Sequence, residues 1–145
     1  MRCGLAILML MATGNAALAH GYRVGDLEIT HPAVMVPSEK SDCSCAHVRI
    51  TNHGTTTEYF LGASIAAASR THLIEISTTG DGLRTPMRVA IPPGATLDLS
   101  RHQWCLFMSG ITMHLEADMG AVPGQLLFER RGAVDIEFMI DSSGH

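Results

Sequence analysis

Histidine, methionine and cysteine side chains cluster within the thirteen residues 102–114, a stretch without carboxylates. Imidazole, thioether and thiolate groups together suit Cu(I), a soft ion, whereas Mg²⁺, Ca²⁺ and Mn²⁺ prefer oxygen ligands. The pattern therefore predicts a copper site, although any one methionine on a strand could equally fill a hydrophobic core. The predicted ligands are His72, Met87, His102, Cys105 and Met108.

The first nineteen residues have the pattern of a secretory signal peptide. Arg2 supplies the positive charge, residues 5–11 (LAILMLM) the apolar stretch, and residues 17–19 (ALA) a cleavage site before His20. The apolar stretch is shorter than the about 20 residues that span a bilayer. We therefore expect residues 1–19 to be a signal peptide and residues 20–145 to form an exported, periplasmic domain without stable membrane insertion. A buried N-terminal helix is the alternative interpretation.

Cleavage before His20 would place an α-amino group beside an imidazole. Such a pair suits Cu(II) in its tetragonal geometry, and histidines elsewhere could complete the coordination. The alternative is a frayed terminus with incidental histidines. The candidate second metal site consists of His20, His31 and His145.

Three cysteines remain after Cys3 is removed with the signal peptide. An odd number in an oxidising compartment indicates a disulfide plus a free thiol, an intermolecular bridge, or thiolate ligation of a metal. Cys43 and Cys45 would share one face of an extended segment because they are two residues apart. They could chelate one ion, or one of them could form a disulfide with Cys105.

Charge and motifs exclude several function classes. Ten basic residues stand against fourteen acidic ones, for a net charge of −4, so the chain lacks the basic surface needed to bind nucleic acid. The sequence contains no G-x-S-x-G, P-loop, H-E-x-x-H or C-x-x-C motif. We therefore expect a binding protein rather than an enzyme.

The elements that must position these ligands have the periodicity of β-strands. Polar and apolar residues alternate over residues 27–30 and 46–51, and turn residues cluster at 78–82 and 91–95. No stretch has a sustained helical stripe. With 145 residues, 46% hydrophobic and 17% charged, the chain can bury one core. The pattern predicts a single-domain, all-β sandwich of about seven to nine strands.

Five segments, in order, resemble the periplasmic copper(I) chaperones of the PCu(A)C type, and together they extend over essentially all of the chain after residue 19. The resemblance implies a cupredoxin-like (Ig-like) β-sandwich. The segments are residues 20–32 (HGYRVGDLEITHP), 50–54 (ITNHG), 61–64 (LGAS), 91–99 (IPPGATLDL) and 126–132 (LLFERRG).

The copper motif of that family is broken in this sequence. The family pattern is His, ten residues, Met, twenty-one residues, His-x-Met. Met87 matches the first methionine in its context, but eleven positions before it stands Ile76, four residues after the nearest histidine. Cys105 takes the place of the second histidine and Phe107 that of the last methionine. Because side chains alternate along a strand, Cys105 and Met108 could share an ion only if a β-bulge lies between them.

The resemblance implies a Cu(I) carrier that exchanges ligands with a copper-accepting or copper-donating periplasmic protein, for example in cytochrome oxidase assembly. On this interpretation Cys105 acts as a thiolate ligand rather than in a disulfide. The alternative is a divergent relative without the site, acting as a binding or scaffolding module or through thiol chemistry at its three cysteines.

Overall fold

The computed structural model describes residues 21–38, 40–80, 82–101 and 103–142. These residues form eleven β-strands and one short 3₁₀ helix, and none of them forms a helix long and apolar enough to cross a membrane. The strands are β1 Gly21–Val24, β2 Leu27–Met35, β3 Ser44–Asn52, β4 Glu58–Ile65, β5 Ala68–Ile76, β6 Leu83–Arg84, β7 Val89–Ile91, β8 Thr96–Asp98, β9 Trp104–Ile111, β10 Ala121–Phe128 and β11 Gly132–Asp141; the helix is Ala117–Met119.

All eleven strands belong to one curled sheet in the order β6-β5-β9-β3-β2-β11-β10-β4-β7, with β1 paired to β2 and β8 to β3. Residues from both halves of the sheet pack into one hydrophobic cluster, which includes Ile50, Phe60, Leu106, Leu126 and Phe138. The predicted all-β, cupredoxin-like fold is confirmed. The strand number exceeds the predicted seven to nine because β6, β7 and β8 have only two or three residues each and leave little periodic signal.

Alternation of buried and exposed side chains along β3 determines which of them are accessible to a ligand. Ala46, Val48 and Ile50 are fully buried, whereas Cys45, just before them, and His47, between Ala46 and Val48, are partly exposed. Side chains at alternate positions of a strand point to opposite faces. We call the side of β5, β9, β3, β2 and β11 that carries Cys45 and His47 the outer face.

β2 contains a break that lets the sheet curl. The register of β2 with β3 shifts between Thr30 and Ala33, and His31 has a φ of +52°, a left-handed conformation that few residues other than glycine adopt. The residues before the break pair with β1, and those after it pair in parallel with β11. A bulge of this kind bends a strand and increases its twist, so β2 can serve both halves of the sheet.

The asparagine of the ITNHG segment forms buried hydrogen bonds at the end of β3. Asn52 is 2% exposed, and its Nδ2 donates to the backbone oxygens of Thr56 at 2.8 Å and Ile91 at 2.9 Å. Its Oδ1 accepts from the backbone N–H of Gly54 at 2.9 Å. One amide side chain thus joins the β3–β4 turn to β7.

The LLFERRG segment is held by hydrogen bonds to a buried carboxylate. Glu58 at the start of β4 is 7% exposed. Its two oxygens accept hydrogen bonds from the backbone N–H groups of Tyr59, Arg130 and Arg131. The carboxylate therefore fixes the β10–β11 turn against β4.

Candidate metal-binding site

Cys105 forms a disulfide with Cys45. Cys45 on β3 lies opposite Phe107 on β9, so Cys105, two residues away on the same face, is its diagonal cross-strand neighbour. The sulfur of Cys105 is bonded, and the residue is only 6% exposed. The prediction that Cys105 is a thiolate ligand is therefore wrong, and of the alternatives left open, a bridge between Cys45 and Cys105 is the one observed.

Cys43 is the free cysteine of the described chain, and it is partly exposed. Its thiol donates a hydrogen bond to Oδ1 of Asp42 at 3.3 Å. That hydrogen bond raises the pKa of the Cys43 thiol, with smaller contributions in the same direction from desolvation and from the charge of Asp42. The thiolate, which is the form that binds metals and attacks disulfides, is therefore disfavoured.

Met108 lies on the inner face of β9 and is fully buried in the core beside Leu106. The bulge that Cys105 and Met108 would need to share an ion is also absent, because β9 keeps one register with β5 from Trp104 to Ser109. Without a bulge the two side chains point to opposite faces of the sheet. Met108 is thus a core residue, and its prediction as a ligand is wrong.

His72 and Met87 are exposed. His72 is on the outer face of β5, opposite Phe107, and the next outward residue, Ile74, is opposite Cys105. Met87 follows β6 and is 90% exposed, so the alternative interpretation of Met87 as a core residue is wrong. The register of β5 with β6 would place Met87 opposite His72 if it continued, but the pairing ends at Arg84.

The neighbouring residue holds the Met87 segment in place. The Nη1 atom of Arg88 contacts Oε2 of Glu129 at 2.8 Å, and its guanidinium lies 4.2 Å from the centre of the Tyr59 ring. The hydrogen bond from Arg88 to Glu129 raises the pKa of the guanidinium, so it stays charged. Arg88 thus contacts Tyr59 on β4 and Glu129 after β10, while the thioether of Met87 beside it stays in solvent.

The remaining predicted ligands are only partly described. His102, His20 and His145 lie outside the described residues, so both the His102 prediction and the terminal Cu(II) site stay predictions. His31 is exposed at the break in β2. Among the described residues, no three His, Cys, Asp or Glu side chains are grouped as metal ligands.

The sequence analysis missed a second group of soft ligands on the outer face. His47 is half-buried on β3, and Met35 and Met139 lie on the two strands beyond it. Burial lowers the pKa of the His47 imidazole, while the negative charges of Asp141 and Asp98 act in the opposite direction. The lowered pKa favours the neutral imidazole, the form that binds metals. Pairing between three strands brings these residues together, and the sequence of a single strand does not predict that pairing.

Solved structures share this architecture, although no family model and no curated protein matches the sequence. The apo PCuAC domain from PmoF1 is 24% identical, with a TM-score of 0.74 over 85% of this chain and 99% of that one. The copper-bound PCuAC domain from PmoF2 is 18% identical, with a TM-score of 0.73 over 85% of this chain and 98% of that one. The chain has the PCuAC fold. The Cu(I) form of DR1885 from Deinococcus radiodurans is 18% identical, with a TM-score of 0.67 over 92% of this chain and 88% of that one.

The PCuAC fold of this chain therefore carries a changed set of side chains at the positions singled out by the sequence resemblance. The position expected to hold the second histidine carries the bridged Cys105, and the position of the last methionine carries Phe107. Of the described ligands predicted for the main site, only His72 and Met87 remain accessible.

Proposed function

We propose that this protein binds Cu(I) with Met87 as a ligand and passes the ion to another protein. The observation that carries the proposal is the 90% exposure of the Met87 side chain beside the anchored Arg88. This thioether contributes little to packing and is accessible to a soft ion. The similar structures include a copper-bound PCuAC domain and a Cu(I) form of DR1885, which supports copper as the cargo.

Ligand exchange is the mechanism that suits such an exposed site. A ligand from a partner can approach Cu(I) at Met87 before the ligands of this chain leave, so the ion need not pass through solvent. His72, the other exposed predicted ligand, could supply an imidazole. Because no covalent bond of a substrate changes, we propose a carrier rather than an enzyme, with a periplasmic copper protein, for example in cytochrome oxidase assembly, as its partner.

The Met87→Leu variant tests this proposal. The substitution nearly conserves volume at an exposed position, so the free energy of unfolding should change by less than about 0.5 kcal/mol. Cu(I) affinity, measured by competition with a Cu(I) chelator, should fall at least about tenfold, equivalent to ~1.4 kcal/mol of binding free energy. The control is Met119→Leu, which changes another exposed methionine in the short 3₁₀ helix. Equal affinities of the wild-type protein and Met87→Leu would remove Met87 from the site.

The second candidate function is a binding or scaffolding module that has lost copper. The Cys45–Cys105 disulfide and the burial of Met108 favour it, since both remove predicted ligands. The same titration separates the two functions. A wild-type protein that fails to compete with the chelator for Cu(I) would exclude the carrier and leave the module as the remaining candidate.

We further propose export to the periplasm with cleavage before His20. The support is the signal-peptide pattern of residues 1–19. N-terminal sequencing of protein recovered from the periplasmic fraction should begin at His20. A sequence beginning at Met1 would contradict both the export proposal and a copper chelate at the new terminus.

A further inference from the structure

Met139, Ala33 and His47 stand in one row across the outer face. Met139 on β11 is the parallel partner of Ala33 on β2, and Ala33 is the antiparallel partner of His47 on β3. The residues beside each of them along the strands, Phe138, Val34 and Ala46, are fully buried. The row itself must therefore point away from the core.

Met35 completes a triangle with Met139 and His47. It lies two residues beyond Ala33 on β2 and so projects from the same face, next to its β11 partner Asp141. Diagonal neighbours on adjacent strands have Cβ atoms about 7–8 Å apart, within reach of long side chains. Both Met139 and His47 are diagonal to Met35, and the backbones of Met139 and His47 are separated by two strand spacings, about 10 Å.

Ala33 leaves space along the side of the triangle between Met139 and His47. A methyl group is the only side chain between Met139 and His47, so the two longer side chains can converge above it. Met139 forms the end pair of β11 with both β10 and β2, and its side chain is 45% exposed, so the thioether is accessible from solvent.

Electrostatics also favour a cation at this place. The negative charge of Asp141 on β11 acts on the His47 imidazole even though β2 lies between the two strands. Asp141 lies two residues after Met139 on β11 and is the parallel partner of Met35, so its carboxylate is on the same face as the triangle. A monovalent cation held in the triangle would be attracted by the same charge.

We propose that Met35, His47 and Met139 form a site for a soft monovalent cation, Cu(I) or Ag(I), bound by two thioethers and one imidazole. Such ligands select soft ions over Mg²⁺, Ca²⁺ and Mn²⁺. This site is separate from Met87 and does not depend on the function proposed for that residue. It would give the protein a second place to hold the ion.

NMR titration of the exported chain with Ag(I) tests the site. The experiment uses Met87→Leu protein labelled at the methionine methyl groups, so that the Met87 ligand is absent. The methyl signals of Met35 and Met139 and the ring signals of His47 should shift together and saturate at one equivalent. The methyl signals of Met113 and Met119, exposed methionines outside the triangle, should stay unchanged.

Two further variants complete the test. In the same Met87→Leu background, Met35→Leu together with Met139→Leu should weaken Ag(I) binding at least about tenfold, whereas Met113→Leu together with Met119→Leu should leave it unchanged. Undiminished binding by the Met35/Met139 double variant, or His47 signals that do not respond to Ag(I), would overturn the proposal. If the Met87→Leu variant binds copper as tightly as the wild-type protein, only the proposed function of Met87 is refuted.

Discussion

Replacing both bridged cysteines, Cys45→Ala together with Cys105→Ala, should lower the free energy of unfolding by about 4 kcal/mol. The disulfide joins residues 60 positions apart, and cross-linking a loop of that length removes conformational entropy from the unfolded chain, an effect of about 3–5 kcal/mol in the chain-entropy model. Few single contacts contribute as much. Urea unfolding followed by the fluorescence of Trp104, the one tryptophan and a neighbour of Cys105, gives the measurement.

Cys43→Ala is the matched control for this variant. Cys43 lies close in sequence to the bridged Cys45, but it is partly exposed and not bridged. Its substitution should change the free energy of unfolding by less than about 0.5 kcal/mol. An identical urea midpoint for the double variant and the wild-type protein would show that Cys45 and Cys105 are not bridged in solution.

Asn52→Leu should cost about 3 kcal/mol or more of the free energy of unfolding. The leucine side chain has nearly the same shape as asparagine. It cannot form the two hydrogen bonds that Asn52 donates to Thr56 and Ile91 or the one that it accepts from Gly54. Each buried backbone group left without a partner costs about 1–3 kcal/mol. Urea unfolding measures the loss, and retention of wild-type stability would contradict this role of Asn52.

Thr51→Val provides the control on the adjacent residue. The hydroxyl of Thr51 shares a hydrogen bond of 2.8 Å with that of Thr96, and this pair is exposed to solvent. Water can replace an exposed partner, so the cost should stay below about 1 kcal/mol. Comparing the stabilities of Asn52→Leu and Thr51→Val therefore separates the cost of leaving buried polar groups without partners from the cost of losing an exposed hydrogen bond.

Much of the fold follows from alternation within single strands. The pattern at residues 46–51 correctly predicts β3, with Val48 and Ile50 facing the core. The same rule places Cys105 and Met108 on opposite faces. A shared ion would require a bulge between them, and the structure instead follows the local periodicity without one.

The candidate sites depend on relations between strands, which one segment of sequence does not contain. The disulfide requires the register of β3 against β9, and the Met35, His47 and Met139 triangle requires β11 to pair with β2. His47 taken alone is an ordinary outward polar residue of an amphipathic strand. A parallel pairing between strands near the two ends of the chain has no short-range signal that could predict it.

The parallel pairing of β2 with β11 also constrains how the protein folds. β2 begins six residues into the described chain, whereas β11 ends at its last strand position, so these contacts are among the most distant in sequence. Folds dominated by contacts between residues far apart in sequence form slowly. The chain must lose the entropy of closing long loops before the stabilising contacts can form. The sheet cannot acquire its complete hydrogen-bonding pattern until β11 has been synthesised. A chain truncated before Gly132 would leave one edge of β2 exposed as a template for intermolecular pairing and aggregation.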